Sequence, residues 1–360
     1  MRSHMLEGRV NRLALMMGML ALLAPMCTTQ NNPPVPMADT CTVDADGTAH
    51  VTRLVPVPKT ISPEGQQFIS RPGPSGPEPT LAERRAHTDE FRQGRAAEAR
   101  KLYPVSVEGR TLAGVRCDWI TPLSVPTEKR DRILMNVHGG GFNSDSGSLV
   151  EGVPIAYLTQ TTVVSIYYRL APEHPFPAAV DDTVAVYKEL LKTYKPNRIG
   201  LFGTSAGAIL TAEAASRFHR DGLPLPAALG IFSGTGDLSL RADSEALFTI
   251  WGWPGHLDPP SAAHPHLAEY VGTTDPKDPV LSPLYANLQG FPPALFVTST
   301  RDLLLSGTTI LHRAFLRAGV DAQLVVFEAL PHAFWYDYHL PETKEALKIM
   351  ASFFNDRLSR

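Results

Sequence analysis

Two short glycine-bearing segments could do chemistry together. His138-Gly139-Gly140-Gly141-Phe142 follows one apolar run, and Gly203-Thr204-Ser205-Ala206-Gly207 follows another. A glycine run leaves backbone N–H groups free to point at a ligand. A Gly-x-Ser-x-Gly turn holds its serine exposed between a strand and a helix. The first would supply an oxyanion hole and the second a nucleophile, so the pair implies acyl transfer. Each motif alone is weakly specific. Ser205 could be an ordinary helix N-cap, and the glycine run could be a loop or a phosphate cradle. A phosphate loop would need Lys followed by Ser or Thr after its glycines, and none follows. Phe142 instead sets an apolar wall there. Around Ser205, 198–202 reads as a buried strand and 206–220 as an alanine-rich helix, which is the setting the motif requires. The flanking glycines suit an elbow whose serine has strained dihedrals.

With these segments in hand, the chain resembles the hormone-sensitive-lipase-like branch of the α/β-hydrolases, the bacterial family IV carboxylesterases. The matching residues are HGGGF (138–142), YYRLAPEHPFPAAVDD (167–182), GTSAG (203–207), DPVLSP (278–283), TRDLLLSG (300–307) and PHAF (331–334). They run from about residue 105 to the C-terminus in the family's order, and the YYRLAPEHPFPAAVDD stretch is the most specific. Thr204 stands where most members have Asp, which is the pattern of a GTSAG subgroup. The resemblance implies an α/β-hydrolase fold: a mostly parallel central sheet flanked by helices, with a helical cap.

A serine hydroxyl needs a base to take its proton. In α/β-hydrolases the acid and the base follow the serine in chain order. His332 follows the apolar strand 323–327 and is the expected base. His339 lies further on, and His312 sits mid-helix, where a surface position is expected. Asp302 follows the strand 294–298 and is the expected acid, with a second use as a helix N-cap; Asp278, Asp321 and Asp337 are the alternatives. The backbone N–H groups of Gly140, Gly141 and Ala206 are the expected oxyanion donors, and His138 is read as shaping the glycine loop. Histidine is a base only when neutral, so turnover is expected to fall in mild acid.

These side chains need a sheet to converge on. Strands are expected over 112–120, 133–137, 162–168, 198–202, 227–232, 294–298 and 323–327. Helices are expected over 177–194, 206–220, 303–318 and 341–358. This alternation predicts a mostly parallel sheet covered on both faces. The division expected is a leader and linker at 1–38, an N-terminal extension with part of the cap at 39–104, and a catalytic domain at 105–360. The charged helical stretch 81–103 and the long insertion at about 238–274 are the cap segments. Trp251, Trp253 and Phe248 are candidate pocket residues beside Phe142, although packing the cap onto the core is the commoner role for any single one of them. His256, Asp258, His264 and His266 fall in a proline-rich segment without helical spacing, so no metal is expected. Arg169, Glu173, Asp181 and Asp182 suggest a buried ion-pair network.

At 360 residues, 43% hydrophobic and 19% charged, the chain can bury one large domain, and a net charge of −3 gives no reason to expect nucleic acid. The 32 prolines concentrate at 33–80 and 254–293. Arg2, Arg9 and Arg12 precede an uncharged apolar run at 13–24, too short to span a bilayer and suited to export into the periplasm or medium. Cys27 could carry a lipid, although Met26 before it suits that poorly. Of the three cysteines, Cys41 and Cys117 could pair in an exported protein or remain free. No cofactor is called for, and the expected partner is a small ester. The resemblance leaves a homodimer open, with no apolar stripe to mark a contact surface. An amidase, lactonase or deacetylase would use the same triad. A non-catalytic module on this fold would usually lack a triad member, and here all three candidates are present.

Overall fold

The computed structural model describes residues 39–71, 79–252 and 265–359. The segment 1–38 expected to be a leader and linker, with Cys27, and Trp253, His256, Asp258 and His264 lie outside them. The chain divides into two compact units, Met1–Pro56 and Val57–Arg360. In the first, β1 (Thr40–Val43) and β2 (Ala49–Thr52) form an exposed antiparallel hairpin, closed by His50 on Asp44 at 2.8 Å.

The second unit begins with α1 (Pro63–Ile69) and α2 (Leu81–Leu102). Thr80 and Glu83 form a reciprocal capping box at the start of α2, which satisfies two free donors of its first turn. A hairpin follows, β3 (Val105–Leu112) and β4 (Val115–Pro122). Next come β5 (Ile133–Val137), α3 (Ser148–Thr159), β6 (Thr162–Ile166) and α4 (Ala178–Leu190). Then β7 (Ile199–Thr204) leads into α5 (Ala206–Arg220) and β8 (Ala228–Phe232). The short helices α6 (Asp243–Leu247) and α7 (Pro265–Val271) lie in the insertion. Finally β9 (Ala294–Ser299), α8 (Leu305–Arg317), β10 (Ala322–Phe327) and α9 (Pro341–Leu358) complete the unit.

Eight strands form one sheet in the order β10-β9-β8-β7-β5-β6-β4-β3. Neighbours from β10 to β6 are parallel, and β4 and β3 add an antiparallel edge. Every residue of β5, β7, β8 and β9 is buried, as the unbroken aliphatic runs predict for strands covered on both faces. The chain leaves β5 toward β6 on one side and returns to β7 on the other. At such a reversal, beyond the carboxyl ends of β5 and β7, open α/β sheets bind ligands.

Four expectations need correction. The single strand read at 112–120 is the second arm of a hairpin whose turn is Ala113-Gly114, both at positive φ (50° and 85°). The segment 148–159, where the sequence pattern predicts no helix, is α3. The ion pairs are three separate ones: Arg169 with Asp182 at 2.8 Å, Glu173 with Arg85 at 2.7 Å, and Asp181 with Arg217 at 3.1 Å. Arg169 and Glu173 are about half exposed, so these pairs contribute little stability. Finally, His312 is half-buried, with its ring edge-on to Phe296, so it is not a surface residue. Both described cysteines are free thiols, Cys41 exposed and Cys117 buried in β4, where burial pushes the Cys117 thiol up to about 12.

Candidate active site

Ser205 follows the last residue of β7 and precedes α5. Its backbone has φ 60° and ψ −122°, a region that strains any residue with a Cβ. Neighbours hold it there. Its N–H donates to the Phe232 carbonyl at 2.9 Å, latching the elbow to the end of β8. The glycines on either side make the turn sterically feasible. A Cβ on Gly203 or on Gly207 would collide with the Val137 carbonyl oxygen, part of the neighbouring strand. Gly207→Ala is therefore expected to cost about 3 kcal/mol of stability, the upper end for overpacking, because a backbone oxygen cannot rotate away. A urea titration checks it; a midpoint equal to that of wild type would refute the close approach.

The glycine loop lies against this elbow. In the sheet register Val137 pairs with Gly203, so the loop after β5 begins beside the turn after β7. A Cβ on Gly139 would sit 3.3 Å from the Ser205 Cβ and 2.8 Å from the Thr204 carbonyl oxygen. Gly140 and Gly141 have φ 116° and 62°, and Phe142 shares the left-handed region at 62°. His138 is buried; its Nδ1–H donates to the Gly139 carbonyl at 2.8 Å, and its ring stacks on Tyr168 at 4.1 Å. That is the loop-shaping position expected of it. The Phe142 ring is fully buried and stacks on Tyr270 of α7, centroids 3.5 Å apart. The Tyr270 hydroxyl donates to Glu213 of α5 at 2.6 Å, and burial holds the Glu213 carboxyl well above the usual carboxylate range. Segment 265–271 is thus joined to the glycine loop through one pair of rings.

Asp302 and His332 come together after β9 and β10. The His332 Nδ1–H donates to Asp302 Oδ1 at 2.8 Å, with both side chains buried. Asp302 Oδ1 also accepts the Leu304 N–H at 2.8 Å, and Oδ2 accepts the Thr298 hydroxyl at 3.0 Å. A carboxylate with three donors is fixed in orientation. Because α8 starts at Leu305, Asp302 closes the turn ahead of the helix and does not occupy its N-cap position. With Nδ1 engaged, Nε2 of His332 is the ring atom left to accept a proton. His332 lies between two residues with left-handed backbone, Ala329 (φ 58°) and Ala333 (φ 52°). The Ser299 hydroxyl donates to the Leu330 carbonyl, and Ala329 N–H to the Thr300 hydroxyl at 2.7 Å, which pins this loop to the end of β9.

The competing residues are engaged elsewhere. His339 is exposed and pairs with Glu98 at 3.1 Å; Asp337 pairs with Arg95 at 3.3 Å; Asp321 pairs with Arg357. Asp278 accepts the Val280 and Leu281 N–H groups and shapes its own turn. Trp251 is exposed at 57% in the turn Thr249–Gly252, which approaches the site: a Cβ on Gly252 would lie 3.4 Å from Pro331 Cβ. At the start of α2, Arg85 donates to the Asn143 carbonyl at 2.7 Å just beyond the glycine loop, and its pairing holds the Glu173 carboxyl down at about 2.

A second buried cluster, missed in the sequence, lies beneath the elbow. Glu151 of α3 accepts the Thr204 hydroxyl at 2.9 Å on Oε2 and the Tyr336 hydroxyl at 2.8 Å on Oε1. Trp335 Nε1–H donates to Thr204 Oγ1 at 3.1 Å. Burial pushes the Glu151 carboxyl up to about 8, against the two hydroxyls that pull it down. The signal available was a lone acid in the apolar run Leu149-Val150-Glu151-Gly152-Val153, but nothing in that run tells which residues it meets.

Comparison with known proteins agrees with this architecture. Residues 134–336 match the family described as alpha/beta hydrolase fold. An acetyl-hydrolase of Streptomyces hygroscopicus is 34% identical over 251 residues, 68% of this chain and 80% of that one. An esterase of Acinetobacter venetianus is 30% identical, covering 70% of this chain and 84% of its own. Among solved structures, an esterase from the bacterial hormone-sensitive lipase family superposes with a TM-score of 0.70 at 30% identity, over 82% of this chain and 99% of its own. The fold, the order of the motifs and these similarities together show that the chain belongs to the α/β-hydrolases, as a carboxylic ester hydrolase of their hormone-sensitive-lipase-like, family IV branch.

Proposed function

We propose that the protein is a serine carboxylesterase for esters with short to medium acyl chains, working through Ser205, His332 and Asp302. The observation that carries this reading is the 2.8 Å bond from His332 Nδ1 to buried Asp302, which fixes the tautomer with Nε2 as acceptor. His332 Nε2 takes the Ser205 proton as Oγ attacks the ester carbonyl. Asp302 holds the ring and stabilises the imidazolium. The N–H groups of Gly140, Gly141 and Ala206 receive the developing oxyanion, each donor contributing about 3 kcal/mol to the transition state. Protonated His332 passes its proton to the departing alcohol. Water, deprotonated by the same nitrogen, then releases the acid from the acyl-enzyme.

The chain-length preference rests on the segments 81–103 and 238–274, which we read as a cap limiting the acyl group. A p-nitrophenyl ester series tests it. We expect kcat/KM to be highest for short and medium chains; a preference for emulsified long-chain triglycerides would replace the reading with a lipase. The similarity to an acetyl-hydrolase favours a second reading, deacetylation of a larger substrate with the same triad. Parallel assays on an acetylated sugar, an amide and a lactone separate these.

A further inference from the structure

We propose that Glu151 is a positioning residue that clamps the nucleophile elbow to the histidine loop, setting the spacing between Ser205 and His332. The inference rests on the serine-hydrolase reading above. Thr204 immediately precedes Ser205, and Trp335 and Tyr336 lie three and four residues beyond His332. These residues, separated by more than a hundred positions in sequence, meet at one carboxyl. Thr204 Oγ1 accepts from Trp335 Nε1–H and donates to Glu151 Oε2, while the Tyr336 hydroxyl donates to Glu151 Oε1. Each of the four side chains is buried, so each bond missing from the cluster leaves a desolvated polar atom. The space is tight as well: a Cβ on Gly147 would sit 2.5 Å from both Glu151 Oε1 and the Tyr336 hydroxyl. The carboxyl therefore has little freedom to move.

Proton counting says which form of Glu151 completes the clamp. Three hydrogens, on Trp335 Nε1, Thr204 Oγ1 and Tyr336 Oη, meet three acceptor oxygens, Thr204 Oγ1 and the two of Glu151. An added proton on Glu151 would have to displace one of these hydrogens, turning the hydroxyl of Thr204 or Tyr336 away from the carboxyl. Ionised Glu151 is thus the fully bonded form, although burial opposes its charge. The other titratable groups facing it are Tyr336, Tyr338, Tyr168 and Asp145. Asp145 is itself 3.6 Å from both His138 and Arg92, and Asn136 of β5 also faces the carboxyl. A shift of the elbow relative to the loop would lengthen the proton transfer from Ser205 to His332 and lower kcat without touching the ester-binding surface. A misplacement of about 1 Å costs on the order of 100-fold.

The test uses the full chain as wild type, Glu151→Gln and Tyr336→Phe, with kcat and KM on a p-nitrophenyl ester from pH 6 to 10 and the rate of Ser205 labelling by an organophosphonate. The amide in Glu151→Gln keeps the shape but can accept at only one of its two ends. We expect kcat to fall about tenfold or more, KM to stay within about twofold, and labelling to slow in parallel. The wild-type rise in kcat through about pH 8 should be absent from Glu151→Gln. A folded Glu151→Gln with wild-type kcat and pH profile would overturn the inference. If Glu151→Gln does not fold, Tyr336→Phe decides: it removes one oxygen, and an unchanged kcat counts against the clamp. Wild type that fails to react with the phosphonate would sink the serine-hydrolase reading itself; wild type that reacts alongside equally fast variants sinks only this inference.

Discussion

Ser205→Ala is expected to lower kcat on an activated ester by about 10⁶-fold while leaving the fold intact. The size of the effect follows from the chemistry: without the oxygen no acyl-enzyme forms, and the oxyanion donors alone give only a small residual rate. The fold should survive because nothing described depends on the hydroxyl. The strained φ of 60° is set by the Ser205 N–H bond to Phe232 and by the glycines at 203 and 207, and all of these remain in the alanine variant. Alanine carries the same Cβ and pays the same strain of about 1–3 kcal/mol. Circular dichroism and thermal unfolding should match wild type. Retention of more than a hundredth of wild-type turnover would show that another residue is the nucleophile.

Asp302→Asn is expected to lower kcat by about 10⁴-fold with little change in KM. Asp302 Oδ1 accepts both the Leu304 N–H and His332 Nδ1–H, while Oδ2 accepts the Thr298 hydroxyl. An asparagine can keep its oxygen toward Leu304 and His332, with its amide toward the Thr298 oxygen. The geometry then survives, but no charge balances the imidazolium. In the opposite rotamer the amide faces His332 Nδ1, forces the other tautomer, and leaves Nε2 unable to take the serine proton. Either outcome disables the base. Steady-state kinetics against the ester, paired with phosphonate labelling, measures it. A loss smaller than tenfold would move the acid to another residue, and Asp337, already bound to Arg95, would be the first to examine.

The parts of this site that were legible in sequence are those whose chemistry forces a local pattern. Strands β5, β7, β8 and β9 are buried on both faces, so each is an unbroken aliphatic run that ends where a functional loop begins. The elbow needs its two glycines next to the serine, and His332 and Asp302 follow such runs. The helix α3 was not legible because it is buried on nearly every side, so it lacks an amphipathic stripe, and Gly152 and Pro154 read as breakers. The strand β3 was hidden for the opposite reason: it is an edge strand exposing most of its side chains, with little apolar alternation. The Glu151 cluster is assembled from α3, β7 and the loop after β10, and no spacing along one segment encodes such a convergence. The disposition of charges at Arg169, Glu173 and Asp181 failed similarly. Their composition suggested one network, but each charge found its partner on a different element.

The stacked rings of Phe142 and Tyr270 bear on how such an enzyme could be diversified. Tyr270 belongs to the insertion we read as a cap, yet its ring supports the backbone whose amides are read as meeting the oxyanion. Substitutions that remove the Tyr270 ring are therefore expected to loosen the glycine loop at Phe142. The turn 249–252 does not include that ring, but a Cβ on Gly252 would lie 3.4 Å from Pro331 Cβ, so changes there reach the backbone beside His332 instead.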